Sequence, residues 1–520
     1  MSISMISGYD QTHSRRRMAA LTAAIAILGT PLAAKADITL PAQPQPLPTP
    51  LTLQEAIAIA THRQPLVHIA HSQTQQAEAL KQENQAKYFP TIAPTYEYLQ
   101  QNRSYPNGKS AYNPSTGLSS TSAASSAFSA GQGGVVVTEN IFDNGQREVL
   151  NAQARRNLDA AKAGATNVNQ QTILTVTQAY FSVLKSMDLV RVAELEINRA
   201  QQEVGLVQAE IDAGTAAKSA IFQPRSDLAA AQVALSQNQT AVSVATSALK
   251  NAMGIISNFP MTLAPLTGGP QPEPAPAPDV AARTSQTAAN LPAAPPPNEA
   301  PSTAPTTGIE QLPPAPAAVP PKTIDEYFKI AQEARPDLKQ QQQLIEAQKL
   351  NVKQAQLQAG IAINGAYTYT YFNNAGSQPI GSDSTVELSA SFPLFDAGAT
   401  HDAVRAAKAQ LDASIDQYEV MRQALRTQIE QDAANRTGAL DQVKLANAAV
   451  AAAHATFDAE VAQLQVGLAT VFDVTTADVT LTQAQNQYVT ALYSFYNYDA
   501  ALQRDLGIND VAPVSTLNGA

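Results

Sequence analysis

Phe142-Asp143-Asn144-Gly145 and Phe395-Asp396-Ala397-Gly398 are two versions of one short stretch, set 253 residues apart. Two more glycine pairs keep that offset, Gly214 with Gly467 and Gly254 with Gly507, and Leu228, Ala231 and Gln232 meet identical residues at Leu481, Ala484 and Gln485. Landmarks that hold one register over about a hundred residues indicate an internal duplication. Upstream the offset becomes 271, where Gln64-Pro65 answers Arg335-Pro336, and Ile92, Tyr96 and Tyr98 answer Ile363, Tyr367 and Tyr369. The 18-residue difference is an insertion in the first copy between Tyr98 and Phe142. Insertions accumulate at exposed loop tips, so a loop is expected there.

Each copy reads as helix, strand, strand, helix, helix. A helix is expected over residues 53–87, interrupted at Pro65, followed by strands at about 88–99 and 128–142 with a Ser/Gly/Asn-rich stretch between them. The second copy repeats the strands at about 360–372 and 385–395, joined by residues 373–384. Alternation is plain in Tyr367, Tyr369 and Tyr371 with Thr368 and Thr370 between, and in Val386, Leu388 and Ala390. Each run reaches the roughly 9 to 11 residues that a tilted strand needs to cross a bilayer. Of the 29 Phe and Tyr, 14 lie in 88–142 or 367–395, as expected for aromatic girdles at the two membrane surfaces. The competing reading is a β-sandwich core, but hairpins this few would be marginal in water.

Beyond Gly145 and Gly398 the sequence predicts one very long helix per copy, residues 145–212 and 398–465. At 1.5 Å per residue each would extend roughly 100 Å. Leu411, Ile415, Tyr418, Leu425 and Ile429 keep the alternating three-and-four spacing of coiled coils, with Arg422 the polar interruption. Turns at Gly214 and Gly467 then return the chain into shorter helices ending near Gly254 and Gly507, where glycine suits a C-cap.

Composition narrows the function classes. Only 15% of the 520 residues are charged, Trp is absent, and the net charge of −10 argues against phosphate neutralisation and so against nucleic-acid partners. Arg15, Arg16 and Arg17 precede an apolar run that ends at Ala34-Lys35-Ala36, so residues 1–36 read as a cleavable signal peptide and 37–50 as an N-terminal extension. No other stretch approaches 18 uninterrupted apolar residues. A chain of this kind crosses a membrane only as a closed β-barrel. The absence of Cys excludes disulfides, thiolate metal sites, a Cys nucleophile and a lipidated N-terminal Cys. Residues 260–321 hold 18 of the 34 prolines and read as a Pro/Ala-rich linker between repeats at 51–259 and 322–507, with a tail at 508–520.

Catalytic chemistry finds no foothold. His68 and His71 lie three residues apart, but no third ligand cluster accompanies them, and a solvated helix face is the simpler reading. No Gly-rich phosphate loop, G-x-S-x-G elbow or H-E-x-x-H occurs. Catalytic, cofactor-binding and metal residues are therefore expected to be none, and the chain is not read as an enzyme.

The signal peptide, the duplicated halves, the two strand pairs and the long antiparallel helices together resemble the TolC-like outer-membrane efflux family, over residues 51–507. The most specific local signs are Ser391-Phe392-Pro393-Leu394-Phe395-Asp396-Ala397-Gly398 and Val466-Gly467 followed by Asp473-Val474. The resemblance implies a mainly α fold with a small β part: a homotrimer whose two β-hairpins per chain build a 12-stranded outer-membrane barrel continuous with a periplasmic α-helical barrel. It implies a passive exit duct for a tripartite efflux pump or type I secretion system. Partners would be outer-membrane lipid, a periplasmic adaptor (membrane fusion) protein and an inner-membrane transporter. Gly214 and Gly467 would be the helical-tip turns, Gly145 and Gly398 the strand-to-helix turns. Asp473 stands where the family places a gate carboxylate, which three-fold symmetry would make a ring.

The sequence departs from the family pattern at several positions. Ala220 occupies the first-copy position of Asp473, Thr476 stands for a second acidic residue, and Leu464 and Ala469 stand for Tyr and Arg gate partners. Asn140 replaces the proline found at Pro393, so a looser first strand-to-helix turn is expected. Asp473 and Asp478 also suit an ordinary solvated helix start. A surface adhesin or structural coiled coil would explain the long helices but not the paired strands in both copies.

Overall fold

The computed structural model describes residues 49–104, 110–113, 118–121, 125–256, 261–265, 323–375 and 381–508. The signal peptide, nearly all of the extension, most of the Pro/Ala-rich linker and nearly all of the tail lie outside the described residues. The chain divides into Met1–Leu47 and Pro48–Ala520, and every described element belongs to the second unit.

The first copy comprises α1 (Leu53–Arg63), α2 (Pro65–Ala86), β1 (Thr91–Ser104), β2 (Ser110–Asn113), β3 (Leu118–Thr121), β4 (Ser125–Phe142), α3 (Gln146–Asp212) and α4 (Phe222–Ala252). The second comprises α5 (Ile324–Ala334), α6 (Pro336–Leu357), β5 (Ala362–Ala375), β6 (Gly381–Ser391), α7 (Ala399–Gln465) and α8 (Val471–Asp505). The two copies begin alike. Thr52 and Thr323 each accept a backbone N–H three residues on, while Glu55 and Glu326 reach back to the cap backbone, so two otherwise orphaned donors are satisfied at each start. Both first helices stop at Gln64 and Arg335, held extended (ψ 122° and 124°) because the next residue is proline.

β1, β4, β5 and β6 form one antiparallel sheet in that order. Its register sorts the side chains. Ile92 pairs Val137, Val137 pairs Tyr367, and Tyr367 pairs Val386, so one face carries Ile92, Tyr96, Tyr98, Val135, Val137, Tyr367, Tyr369, Val386 and Leu388. The other carries Thr91, Thr95, Glu97, Gln132, Thr138, Asn364, Thr368, Glu387 and Ser389. A one-residue register slip would exchange those two surfaces.

The strands depart from the expected bounds in instructive ways. β1 starts three residues later and, like β4, extends further into the inserted stretch; within that stretch β2 and β3 pair as a separate hairpin, Ser110 opposite Thr121, where a loop was expected. β6 ends at Ser391, because Pro393 has no N–H for a ladder. Asn140 still pairs with Asn364, and β4 continues through a bulge to Phe142 opposite Ile363. The copy lacking proline therefore has the longer strand, and its turn is not looser, as shown below.

α3 and α7 are each 67 residues long. Each packs along its own return helix, α4 or α8, and α3 also lies against α2, α6 and α8. Ala-rich faces let these axes approach. Larger side chains fill the seams: Tyr180, Val176, Val192, Leu249 and Met253 in the first copy, and Val443, Leu481, Tyr488, Leu492 and Phe495 between α7 and α8. Leu425 and Ile429 of the predicted apolar stripe close on Ala331, Leu338, Leu502 and Leu506, with Tyr418 beside them. Fully burying each such Leu or Ile contributes about 1.5–3 kcal/mol. Among the described residues no helix is long and apolar enough to cross a membrane.

Candidate functional site

The strand-to-helix turns are built from two consecutive left-handed residues. Asn144 and Gly145 have φ of 57° and 82°, and Ala397 and Gly398 have 52° and 87°. The glycines take the larger positive angle without Cβ strain. The aspartate before each pair caps the helix. Asp143 accepts the Arg147 N–H at 3.1 Å and also ion-pairs with the Arg147 guanidinium, while Asp396 accepts the N–H groups of Gly398 (3.0 Å) and Thr400 (2.9 Å). A hydrogen bond from the Thr400 side chain, and then these backbone bonds, hold the Asp396 carboxyl below the usual carboxylate range. In the first turn Asn144 and Gln146 both donate to the Leu357 carbonyl at 3.2 Å. That turn is thereby tied to α6, which corrects the expectation drawn from Asn140.

The helical tips share one hydrogen-bond pattern. Gly214 N–H donates to Ile211 O and Thr215 N–H to Glu210 O; Gly467 N–H donates to Leu464 O and Leu468 N–H to Gln463 O. Both glycines are left-handed, φ 76° and 77°, and both close the last turn of a long helix. The returns differ. In the second copy Thr470 accepts the Asp473 N–H, and Asp473 Oδ2 accepts the Thr470 N–H (2.8 Å) and hydroxyl (2.6 Å). α8 therefore starts at Val471, and Asp473, exposed, is held below the usual carboxylate range by Thr470. In the first copy Ala217 and Ala220 occupy those two positions and can offer no such cap. α4 starts only at Phe222, with no side-chain cap. Asp473 is thus placed at the first turn of α8, three residues after its cap. Thr476 donates to Phe472 O and is exposed, while Leu464 and Ala469 are half-buried. Phe472, Leu468 and Val466 stand at 72%, 79% and 69% exposure, an apolar fringe on an otherwise polar tip.

Asp478 differs from the expectation of a solvated helix start. It is buried and ion-pairs with Arg199 of α3, whose guanidinium also donates to Thr482 at 2.8 Å and lies 5.9 Å from the Phe457 ring centre of α7. One turn nearer the tip, Thr475 donates to Glu203. Burial pushes the carboxyls of Glu196, Glu203 and Asp478 up, in Asp478 against the pull of Arg199. This polar seam joins the α3 arm to the α7/α8 arm just above the tips. The sequence does show Glu196, Arg199 and Glu203 on one helix face, at spacings of three and four, but partners more than 270 residues away are invisible to local pattern.

The two histidines of α2 are otherwise engaged, His68 with the His62 carbonyl at 2.9 Å and His71 with Gln75 at 3.3 Å. Among the described residues no group of His, Cys, Asp or Glu could hold a metal ion. A recess of about 560 Å³ lies where the polar face of the sheet meets the start of α3, lined by Glu139, Asn140, Arg147, Asn364 and Glu387 among others. It is a wide, open groove rather than an enclosed pocket.

Comparison with known proteins agrees with this geometry. The profile of the family described as outer membrane efflux protein matches residues 56–255 and 328–507, the two copies in turn. No curated protein matches the chain. Among solved structures, CusC, reported as forming a transmembrane channel, is 16% identical with a TM-score of 0.66, over 88% of this chain and 92% of that one. The outer membrane protein VceC of Vibrio cholerae is 14% identical with a TM-score of 0.63, over 88% and 96%. The MtrE outer membrane channel of Neisseria gonorrhoeae, in its open state, is 15% identical with a TM-score of 0.63, over 88% and 89%. A duplicated chain with an amphipathic four-stranded sheet above paired 67-residue helices, matched in both halves by one family, belongs to the outer membrane efflux proteins: an efflux channel protein of the outer membrane whose long helical part lies in the periplasm.

Proposed function

We propose that the protein is a passive homotrimeric exit duct, docking through its helical tips to a periplasmic adaptor and an inner-membrane transporter of a tripartite efflux pump or type I secretion system. One observation supports this most strongly. The sheet has a single apolar face and ends in two edge strands, β1 and β6, each with an open row of backbone N–H and C=O groups. Lipid offers such groups no partner, so the edges require pairing. β6 of one chain against β1 of the next, three times over, gives 12 strands with no edge left and turns Glu97, Glu387 and Thr368 toward the lumen. The repeats at 51–259 and 322–507 then share the work equally, with residues 260–321 as a tether between them and residues 1–36 removed on export.

The same symmetry gathers three Asp473 carboxylates about the axis. Within each chain the hydrogen bonds from Thr470 favour the charged form of Asp473. In planar bilayers the protein is expected to form trimers that conduct, with Asp473→Asn shifting the reversal potential toward lower cation preference. A protein that remains monomeric and soluble without detergent contradicts the duct, while conductance unaffected by Asp473→Asn removes only the gate assignment. Because the chain has no cysteine, single-Cys pairs such as Ile92→Cys with Leu388→Cys test the edge pairing directly: oxidation is expected to link three chains.

A further inference from the structure

Where α5 breaks into α6, the end of α8 and the middle of α7 meet at a buried cluster. Arg335, at the break, donates to Asp337 from Nε (2.9 Å) and Nη2 (2.7 Å) and to Asp505 Oδ1 from Nη1 at 3.0 Å. Arg504 donates to the same Asp505 oxygen at 2.9 Å. Asp432 of α7 accepts from Gln428 at 3.1 Å and hydrogen-bonds with Asp505. Asp432, Asp505 and Arg335 are 6%, 3% and 9% exposed.

Two facts of this arrangement do not balance if every carboxyl is ionised. Three carboxylates (Asp337, Asp432, Asp505) face two guanidiniums (Arg335, Arg504), which leaves one negative charge in a buried corner. Asp505 Oδ2 is also buried and receives no hydrogen bond from any amide, hydroxyl or guanidinium. A single proton on the Asp432–Asp505 pair corrects both, because a protonated carboxyl can donate to the orphaned oxygen and brings the cluster to neutrality.

We propose that Asp432 and Asp505 hold one proton between them, and that this shared proton makes the second-copy junction a clamp on α6, α7 and α8 that tightens on acidification and slackens toward neutral pH. Burial, then the neighbouring Asp505, pushes Asp432 up to about 6. Folding thus raises this carboxyl above its unfolded value near 3.8, so its contribution favours the folded junction below that value and is lost as pH rises through about 6. About one turn along, Arg436 and Asp499 form an ion pair between α7 and α8. α3 faces the corner with Gln170, Ile173, Leu174 and Thr177, none of them charged.

The first copy is an internal control. At the matching positions it has Gln64, Leu66, Ala179, Asn251 and Ala252, all uncharged. There Gln64 donates to the carbonyls of Asn251 (3.4 Å) and Ala252 (3.0 Å), so the same junction closes without a titrating group. The charges are not needed for the packing itself.

The test uses the full chain purified in detergent. Infrared difference spectra between pH 5 and pH 7.5 are expected to show a protonated-carboxyl band that weakens in Asp432→Asn and in Asp505→Asn. Amide exchange, corrected for intrinsic rate, is expected to be several-fold faster at pH 7.5 than at pH 5 across residues 335–345 and 500–508, and unchanged across 64–74 and 245–254. Asp432→Asn should abolish the difference. Exchange at 335–345 that ignores pH in the wild type, or a band as strong in both variants as in the wild type, overturns the proposal; the wild-type measurement decides even if a variant fails to fold.

Discussion

Among the described residues six glycines sit at positive φ, and their surroundings separate the strained from the crowded. A Cβ on Gly214 or Gly467 would meet open space, whereas one on Gly254 or Gly507 would press into the backbone of Arg63 or Ala334 at 2.8 or 2.9 Å. Gly214→Ala is therefore expected to cost about 1 kcal/mol from conformation alone, and Gly507→Ala distinctly more, as read from urea midpoints of the detergent-solubilised protein. Tyr180 provides a second test. Its hydroxyl donates to the Ala264 carbonyl at 2.6 Å and lies 3.1 Å from the Leu51 carbonyl, fastening the parallel bridge of Leu51 with Leu263 to α3. Burial, and then Glu55, pushes the phenol up to about 12, so it keeps its proton at any physiological pH. Tyr180→Phe should cost about 1–2 kcal/mol and speed amide exchange at Leu51 and Ala264 without altering that of α8.

The seam between α3 and α8 makes a prediction about pairs of helices. Removing one partner of a half-hidden ion pair costs more when the remaining charge has no other compensation. Arg199→Met leaves Asp478 and Glu196 without their guanidinium, with the Glu203 carboxyl close to Asp478, and should destabilise by about 3 kcal/mol at neutral pH; Asp478→Asn should cost clearly less. All three carboxyls are held above their ordinary range, so their ionisation opposes folding as pH rises. The Arg199→Met deficit is therefore expected to shrink on acidification, seen as converging melting curves. A deficit that grows below pH 6 contradicts this account.

How much of these elements could be read from the chain alone follows from how local their causes are. Proline at 65 and 336, glycine at 145, 398, 214 and 467, and the apolar stripe through Leu425 and Ile429 act within a few residues, and both long helices begin and end within a residue of expectation. The hairpin of β2 and β3 was missed because its Ser-, Asn- and Gly-rich sequence carries turn signals and little alternation. Asp478 was misread because its burial depends on Arg199, in the other copy. Asp473 was legible in the sequence only as a position; that Thr470 and Asp473 close the start of α8 emerges from the hydrogen bonds.

For the assembled molecule, duplication without identity has a measurable outcome. The two copies share one plan but carry their charge unequally: the second has the capped tip, the buried Arg335 cluster and the Asp473 carboxylate, the first has alanine or neutral amides in their place. Substituting the first copy toward the second, Ala217→Thr with Ala220→Asp, is expected to extend α4 by about one turn toward the tip, detectable as slowed amide exchange over residues 218–222. Unchanged exchange there would show that the tip, not its cap, sets where α4 begins.

The equal length of α3 and α7, 67 residues each, constrains how such a protein can change. Deleting seven residues from one arm would lift its tip by roughly 10 Å, stranding it out of step with the tip of the other copy. On the proposed docking, adaptation to a wider or narrower gap between the two membranes therefore comes as matched edits in both halves of the gene, and a lineage that had altered only one would be expected to lose its grip on whatever meets the tips.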